Sequence, residues 1–272
     1  MSNKKNEESW DRLSEFYQTH KKISLEDFHY GPYGPGEQEL RVIGDVKGLD
    51  ILELGCGGGQ NSIVLVKWGA KSVTAIDQSE KQLEYAKKLA SSQGVKIKFL
   101  KGNIEDLSML KDASFDLIVS SHAMNYVENL PRVFSEVARV LRENGRIVTC
   151  MGHPIMHLIW EALEKGSIEE VNNYFDDKRI VFDWADEKGE KIATFEETGY
   201  RFEEIINGLI FAGLKIERVL EPPGYSEAEI EKLGEDQVPY QDTNYANNNI
   251  HQFIAINQKV PFSLIVSAIK SL

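Results

Sequence analysis

The sequence predicts an α/β protein with a mostly parallel sheet and helices on both faces. Two observations carry that prediction. From residue 49 to residue 152, short runs rich in β-branched residues alternate with amphipathic stretches of helical period. The first run, LDILELG, also empties into a loop with glycines at 55, 57, 58 and 59. Glycine is placed where a side chain would collide or where φ must be positive, so this loop marks where a ligand lies against the main chain. In open α/β sheets that place is the crevice beyond the carboxyl ends of the strands.

Residues 49–55 read as a buried strand, and QNSIVLVKWGA after the glycines reads as a helix. SVTAID (72–77) is the second strand. The helix over 79–94 takes Ser79 as its N-cap and Gly94 as its stop. KIKFLKGN (96–103) and FDLIVSS (115–121) are the third and fourth strands. A helix over 130–145 places Val133, Val137, Val140 and Leu141 on one face, with Pro131 at its start and Gly145 at its end, and GRIVTCMG (145–152) follows as the fifth strand. The rhythm then breaks. Residues 153–200, rich in aromatics and acids and without a clear second βα unit, read as a cap insertion. RFEEIINGLIFAGL, a helix ended by Gly213, and the strand KIERVLEP resume the pattern. The Asn-rich QDTNYANNNIHQ (241–252) reads as a mobile loop, and PFSLIVSAIK (261–270) as a seventh, buried strand. Residues 1–47 are expected to form an N-terminal helical lid of the same single domain, 1–272.

With 31 Lys and Arg against 43 Asp and Glu, the formal net charge is −12. A phosphate backbone would meet net repulsion, which argues against nucleic acid and equally against an anionic membrane surface. No stretch is apolar over the length of a bilayer, and the N-terminus lacks the apolar region of a signal peptide, so a cytoplasmic address is expected. Cys56 and Cys150 stand far apart with no CxxC, and no histidines cluster at ligand spacing. Neither a disulfide framework nor a metal site is expected.

The glycine loop narrows the ligand class. The dinucleotide fingerprint GxGxxG requires a third glycine where this chain has Gln60, so a nicotinamide cofactor fits poorly. ELGCGGG, with an acid two residues before the first glycine, instead resembles the class I methyltransferases that use S-adenosylmethionine. The resemblance continues through Asp77 at the end of the second strand, GNIEDL, FDLIVSSHAMNYV and VLRENGRIV. GHP after the fifth strand, YFDDKRI and the ending PFSLIVSAIK look more narrowly like small-molecule methyltransferases.

That resemblance implies a Rossmann-like, seven-stranded, mostly parallel sheet with an antiparallel last strand and a cap after the fifth. S-adenosylmethionine would be held by Glu53 at its ammonium and by Gly55, Cys56 and Gly57 along its methionyl and ribose parts. Asp77 and Gln78 would lie at the ribose, Asn103, Ile104 and Glu105 around the adenine, and Ser120 and Ser121 at the amino-acid end. Tyr30, in the Gly-Pro-rich N-terminal turn, would set an aromatic face near the sulfonium. Methyl transfer is an in-line displacement that requires alignment and exclusion of water, and no metal. A base is needed where the acceptor is a hydroxyl, and His122, Tyr126 and His153 are the candidates. The expected partner is a small-molecule acceptor, and a homodimer stays open. Two other classes are weighed against this reading: an S-adenosylmethionine-binding regulatory protein without turnover, and a nicotinamide-dependent oxidoreductase.

Overall fold

The computed structural model describes residues 2–271 save 168, 170, 172, 176–178, 187, 235, 236 and 243–249. The β-branched runs become strands β2 (Asp50–Leu54), β3 (Ser72–Asp77), β4 (Lys98–Lys101), β5 (Phe115–Ser121), β6 (Leu141–Gly152), β9 (Leu214–Leu220) and β11 (Ser263–Lys270). They form one seven-stranded sheet in the order β4-β3-β2-β5-β6-β11-β9. β2 pairs in parallel with both β3 and β5, while β11 runs antiparallel to both β6 and β9. The antiparallel last strand is therefore inserted between the fifth and sixth strands, where it is covered on both edges.

Both sheet faces are buried, and the side chains alternate between them as the pleat demands. Leu52, Leu54 and Ile118 join the core layer under α5 (Leu130–Val140) and α7 (Phe202–Phe211). Ile51, Leu117 and Val119 point into the opposite layer, with Val64 and Leu65 of α3 (Gln60–Lys67). Phe134 on α5 is fully buried, and a Cβ on Gly208 of α7 would sit 2.9 Å from its ring. Truncating a buried phenylalanine of this kind costs about 3–5 kcal/mol.

Helix α4 (Glu80–Ser92) starts where expected, with the Ser79 hydroxyl accepting the Gln82 N–H. The α5 boundary differs from expectation. The helix stops at Val140 rather than Gly145, because the buried Leu141 already pairs with Phe115 in the sheet. The turn that follows is made at Asn144, with φ +62.

Outside the sheet, α1 (Ser2–His20) leads into β1 (Lys21–Ile23), and α2 (Glu37–Leu40) precedes β2. Residues 153–200 contain more regular structure than their composition suggested: α6 (Met156–Lys165) and an antiparallel hairpin of β7 (Arg179–Ala185) and β8 (Lys191–Thr198). The hairpin packs on α1 through Leu13, Ala193 and Phe195. After α8 (Glu227–Leu233), the segment expected as a mobile loop begins instead as β10 (Tyr240–Asp242), paired with β1, and ends in α9 (Ile250–Asn257). Its residues 243–249 lie outside the described residues. No described helix is long and apolar enough to cross a membrane.

Candidate active site

A cavity of about 950 Å³ opens at the carboxyl ends of β2, β3 and β5. Its floor is the glycine loop. Gly55, Gly57 and Gly59 all have positive φ, and a Cβ on Gly57 would meet nothing within 4 Å. That glycine therefore keeps cavity space clear. A Cβ on Gly55 would fall 2.1 Å from that of Ala123, so the loop and the segment after β5 touch through the missing side chain.

Two carboxylates stand over this floor. Glu53 is buried, accepts a hydrogen bond from Ser62 Oγ and is pushed up to about 8 by burial. Asp77 accepts the N–H groups of Gly57 (2.8 Å) and Ser79 (2.9 Å), and burial raises it to about 6. Neither makes an ion pair among the described residues. Buried carboxylates without a cation are costly. A ligand bringing an ammonium and a pair of vicinal hydroxyls satisfies both, and S-adenosylmethionine carries these groups beside its sulfonium.

Cys56, Gln78, Asn103, Ile104 and Ser121 also line the cavity. Asn103 uses its Oδ1 on the Glu105 N–H, which leaves its amide N–H groups as donors. Four expected site residues are placed elsewhere. Glu105 accepts the N–H groups of Glu128 (2.5 Å) and Asn129 (3.3 Å) and so ties down the loop before α5. The Ser120 hydroxyl is buried against the Leu54 carbonyl. His153 accepts the Ile155 N–H at Nδ1 and pairs with Glu221 through Nε2 at 2.8 Å. Tyr30 packs its ring on Phe28 and donates its hydroxyl to Glu37.

Phe28 and Tyr30 are both taken into the core, and His29 between them lines the cavity. The N-terminal segment thus presents a histidine where a tyrosine was expected.

His122 and Tyr126 do line the cavity, with Asn125 between the β5 end and β6. Asn125 accepts the Gly152 N–H. His122 sits at φ +53, an uncommon conformation for a non-glycine residue, and its Nε2 lies 3.2 Å from the Tyr30 carbonyl. Burial lowers its pKa, so the ring is neutral.

Sequence reasoning expected a helical lid over residues 1–47 but missed the residues by which α1 reaches the site. Gln60 Nε2 donates to Gln18 Oε1, and Gln18 Nε2 donates to Gln82 Oε1, each at 2.7 Å. Asp11 accepts the Ser79 hydroxyl at 2.6 Å. The helix is thereby tied to the start of α3, just after the glycine loop, and to α4. The signal was available in WDRLSEFYQ, whose Trp10, Leu13 and Tyr17 share one helical face just before Gln18.

Aromatic rings from several elements line the same cavity, among charged residues such as Glu161, Arg179 and Asp183. Trp10 meets Tyr126 edge-on at 5.6 Å, Tyr17 lies 6.0 Å from Trp184, and Trp160 stacks on Phe253 at 6.0 Å. Inside these walls His157 pairs with Glu197 at 3.3 Å.

A doubly wound sheet with a glycine loop at its first strand end and unpaired buried carboxylates above it defines an enzyme site for a nucleoside-bearing, cationic cofactor. Comparison with known proteins makes the class specific. Residues 52–149 match the methyltransferase domain family. The chain is 36% identical over 185 residues to an uncharacterized methyltransferase of Bacillus subtilis, covering 66% of this chain and 71% of that protein. It is 32% identical over 115 residues to a ubiquinone biosynthesis O-methyltransferase of Rickettsia conorii, covering 42% and 39%. The solved S-adenosylmethionine-dependent methyltransferase from Mesorhizobium loti aligns with a TM-score of 0.63 at 25% identity, over 84% of this chain and 94% of that one. The chain belongs to the class I S-adenosylmethionine-dependent methyltransferase family, and S-adenosylmethionine is its cofactor.

Proposed function

We propose that this methyltransferase acts on a small molecule held beside the cofactor in the cavity at the strand ends, with residues 1–47 as its lid and residues 153–200 as the cap that sets acceptor choice. The observation that carries the reading is the lining of the site: the buried Glu53 and Asp77 share one cavity with aromatic rings from α1, α6 and the β7–β8 hairpin. Such a cavity suits a metabolite better than a macromolecular surface. The charge of −12 points the same way. So does the partial match to an enzyme of ubiquinone biosynthesis, whose name indicates a small-molecule pathway. Both cysteines are free and buried, which suits a cytoplasmic address.

Bound S-adenosylmethionine supplies an electrophilic methyl group. The chain's own residues do the rest. Glu53 and Asp77 fix the cofactor's orientation, the aromatic rings displace water from the transfer region, and His122 and Tyr126 face the acceptor. Incubation with labelled cofactor and separate RNA, protein and metabolite fractions tests the reading. Label is expected in metabolites; label confined to a macromolecular fraction would overturn it.

A further inference from the structure

We propose that His29 is a further residue of the transfer site, and that together with His122 it selects an oxygen nucleophile as the methyl acceptor. This rests on the methyltransferase reading of the cavity and adds the identity of the reacting atom.

The two imidazoles rise from neighbouring segments stitched together by hydrogen bonds. Ser121 Oγ donates to the His29 carbonyl at 3.2 Å, and His122 Nε2 lies 3.2 Å from the Tyr30 carbonyl. Both rings line the same cavity. His122 Nε2 also lies 3.2 Å from Ser263 Oγ and 3.5 Å from Cys150 Sγ, but both of these donate to the Tyr30 carbonyl, at 2.7 Å and 3.1 Å, so all three neighbours can only accept from Nε2, which carries the proton and leaves Nδ1 with a lone pair. No described group occupies that nitrogen.

His29 is arranged in the complementary sense. Its Nδ1 is shielded from solvent and has no hydrogen-bond partner among the described residues. Orphaned buried N–H donors are rarer than under-satisfied acceptors, which puts the proton on Nε2, the nitrogen on the ring edge left to the cavity. The ring is held by Tyr240, edge-on at 4.9 Å, and the backbone by Asn61, whose Oδ1 accepts the His29 N–H at 3.0 Å. Burial and the neighbouring His122 lower the His29 pKa to about 3, so the ring stays neutral.

The site thus offers one N–H donor and one lone-pair acceptor. A hydroxyl oxygen answers both: its proton goes to the acceptor, and of its two lone pairs one takes the donor while the other attacks. A neutral amine has a single lone pair, which the attack consumes, so the donor would be left unmatched. In the balanced step the oxygen forms a bond to the methyl carbon, the carbon–sulfur pair stays on sulfur, and the hydroxyl proton passes to His122 Nδ1 and then to water. Rings held neutral are weak bases, so the hydroxyl must itself be acidic, as in a phenol or an enol. The aromatic walls favour a phenol.

Nitrogen-15 NMR of histidine-labelled protein, assigned with His29→Leu and His122→Asn, reads the tautomers without any acceptor. Both rings are expected neutral and protonated at Nε2 at about pH 6.5. A cationic ring, or His122 protonated at Nδ1, would overturn the proposal. Carbon-13-methyl cofactor incubated with a metabolite fraction then reports the reacting atom through the methyl chemical shift. A methyl on oxygen supports the proposal. A methyl on nitrogen, sulfur or carbon defeats it alone, and no transfer to any metabolite defeats the small-molecule reading of the cavity with it. His29→Leu is expected to slow transfer on the order of a hundredfold with S-adenosylhomocysteine affinity unchanged. If that variant instead lost affinity for S-adenosylhomocysteine but kept it for 5′-methylthioadenosine, His29 would belong to the cofactor's carboxylate and the proposal would fail.

Discussion

The groups proposed to hold the cofactor come mainly from one stretch, Glu53 to Gln78, while the aromatic lining of the cavity is assembled from α1, the segment after β5, α6, the β7–β8 hairpin and α9. The first set works through backbone conformation and two carboxylates whose spacing is set by one βαβ unit. The second works through side chains brought together only by the tertiary fold. A site built mainly from backbone can be read in a sequence, whereas one built from side chains of distant segments emerges only when the chain is folded.

The sharpest way to break this contrast is Gly57→Val. A Cβ there meets nothing in the protein but enters the cavity, and the left-handed φ of +49 strains a β-branched residue, so the variant is expected to melt at a lower temperature yet remain folded and show no calorimetric binding of S-adenosylhomocysteine. Normal binding would mean that the loop does not floor the cofactor site. Next in size is Asp77→Asn, expected to weaken that binding by about 1–3 kcal/mol through loss of charge-assisted hydrogen bonds.

Trp160→Ala addresses the aromatic lining. It should raise the acceptor KM about tenfold, in keeping with the loss of a buried aromatic contact of about 1–2 kcal/mol, and leave cofactor affinity unchanged. A matching loss of cofactor affinity would show that the two sets are not separable.

The smallest expected effect is protonic. Glu53, held at about 8 against an ordinary value of 4.5, keeps its proton in the native state where the unfolded chain has released it. Its contribution to stability is present below about pH 4.5 and is lost as the pH rises through about 8. A cofactor ammonium favours the carboxylate, so binding at about pH 7 should release up to one proton. Calorimetry in buffers of different ionisation enthalpy measures it; release that persists in Glu53→Gln would assign the proton to another group.

What was legible follows the same division. The ends of β3 and β5, the Ser79 cap and the glycine loop were readable because local residue chemistry dictates them. The end of α5 was not, since burial of Leu141 in the sheet overrides the Gly145 stop signal. His29 was missed because the sequence does not reveal which of the neighbouring residues Phe28, His29 and Tyr30 the fold turns away from the core. Ser120, Glu105 and His153 sit at positions where a motif predicts proximity to the site, yet their hydrogen bonds spend them on Leu54, the α5 loop and Glu221.

The most direct test of the central claim, a cavity that takes the cofactor on its carboxylates and the acceptor against its aromatic lining, is a crystal structure with S-adenosylhomocysteine bound. The account predicts the ribose hydroxyls on Asp77, the amino group toward Glu53, and the sulfur facing the wall of His29 and His122 with the aromatic lining left free. A ligand lying among Trp160, Trp184 and Phe253, or one whose sulfur turns away from His122, would contradict it.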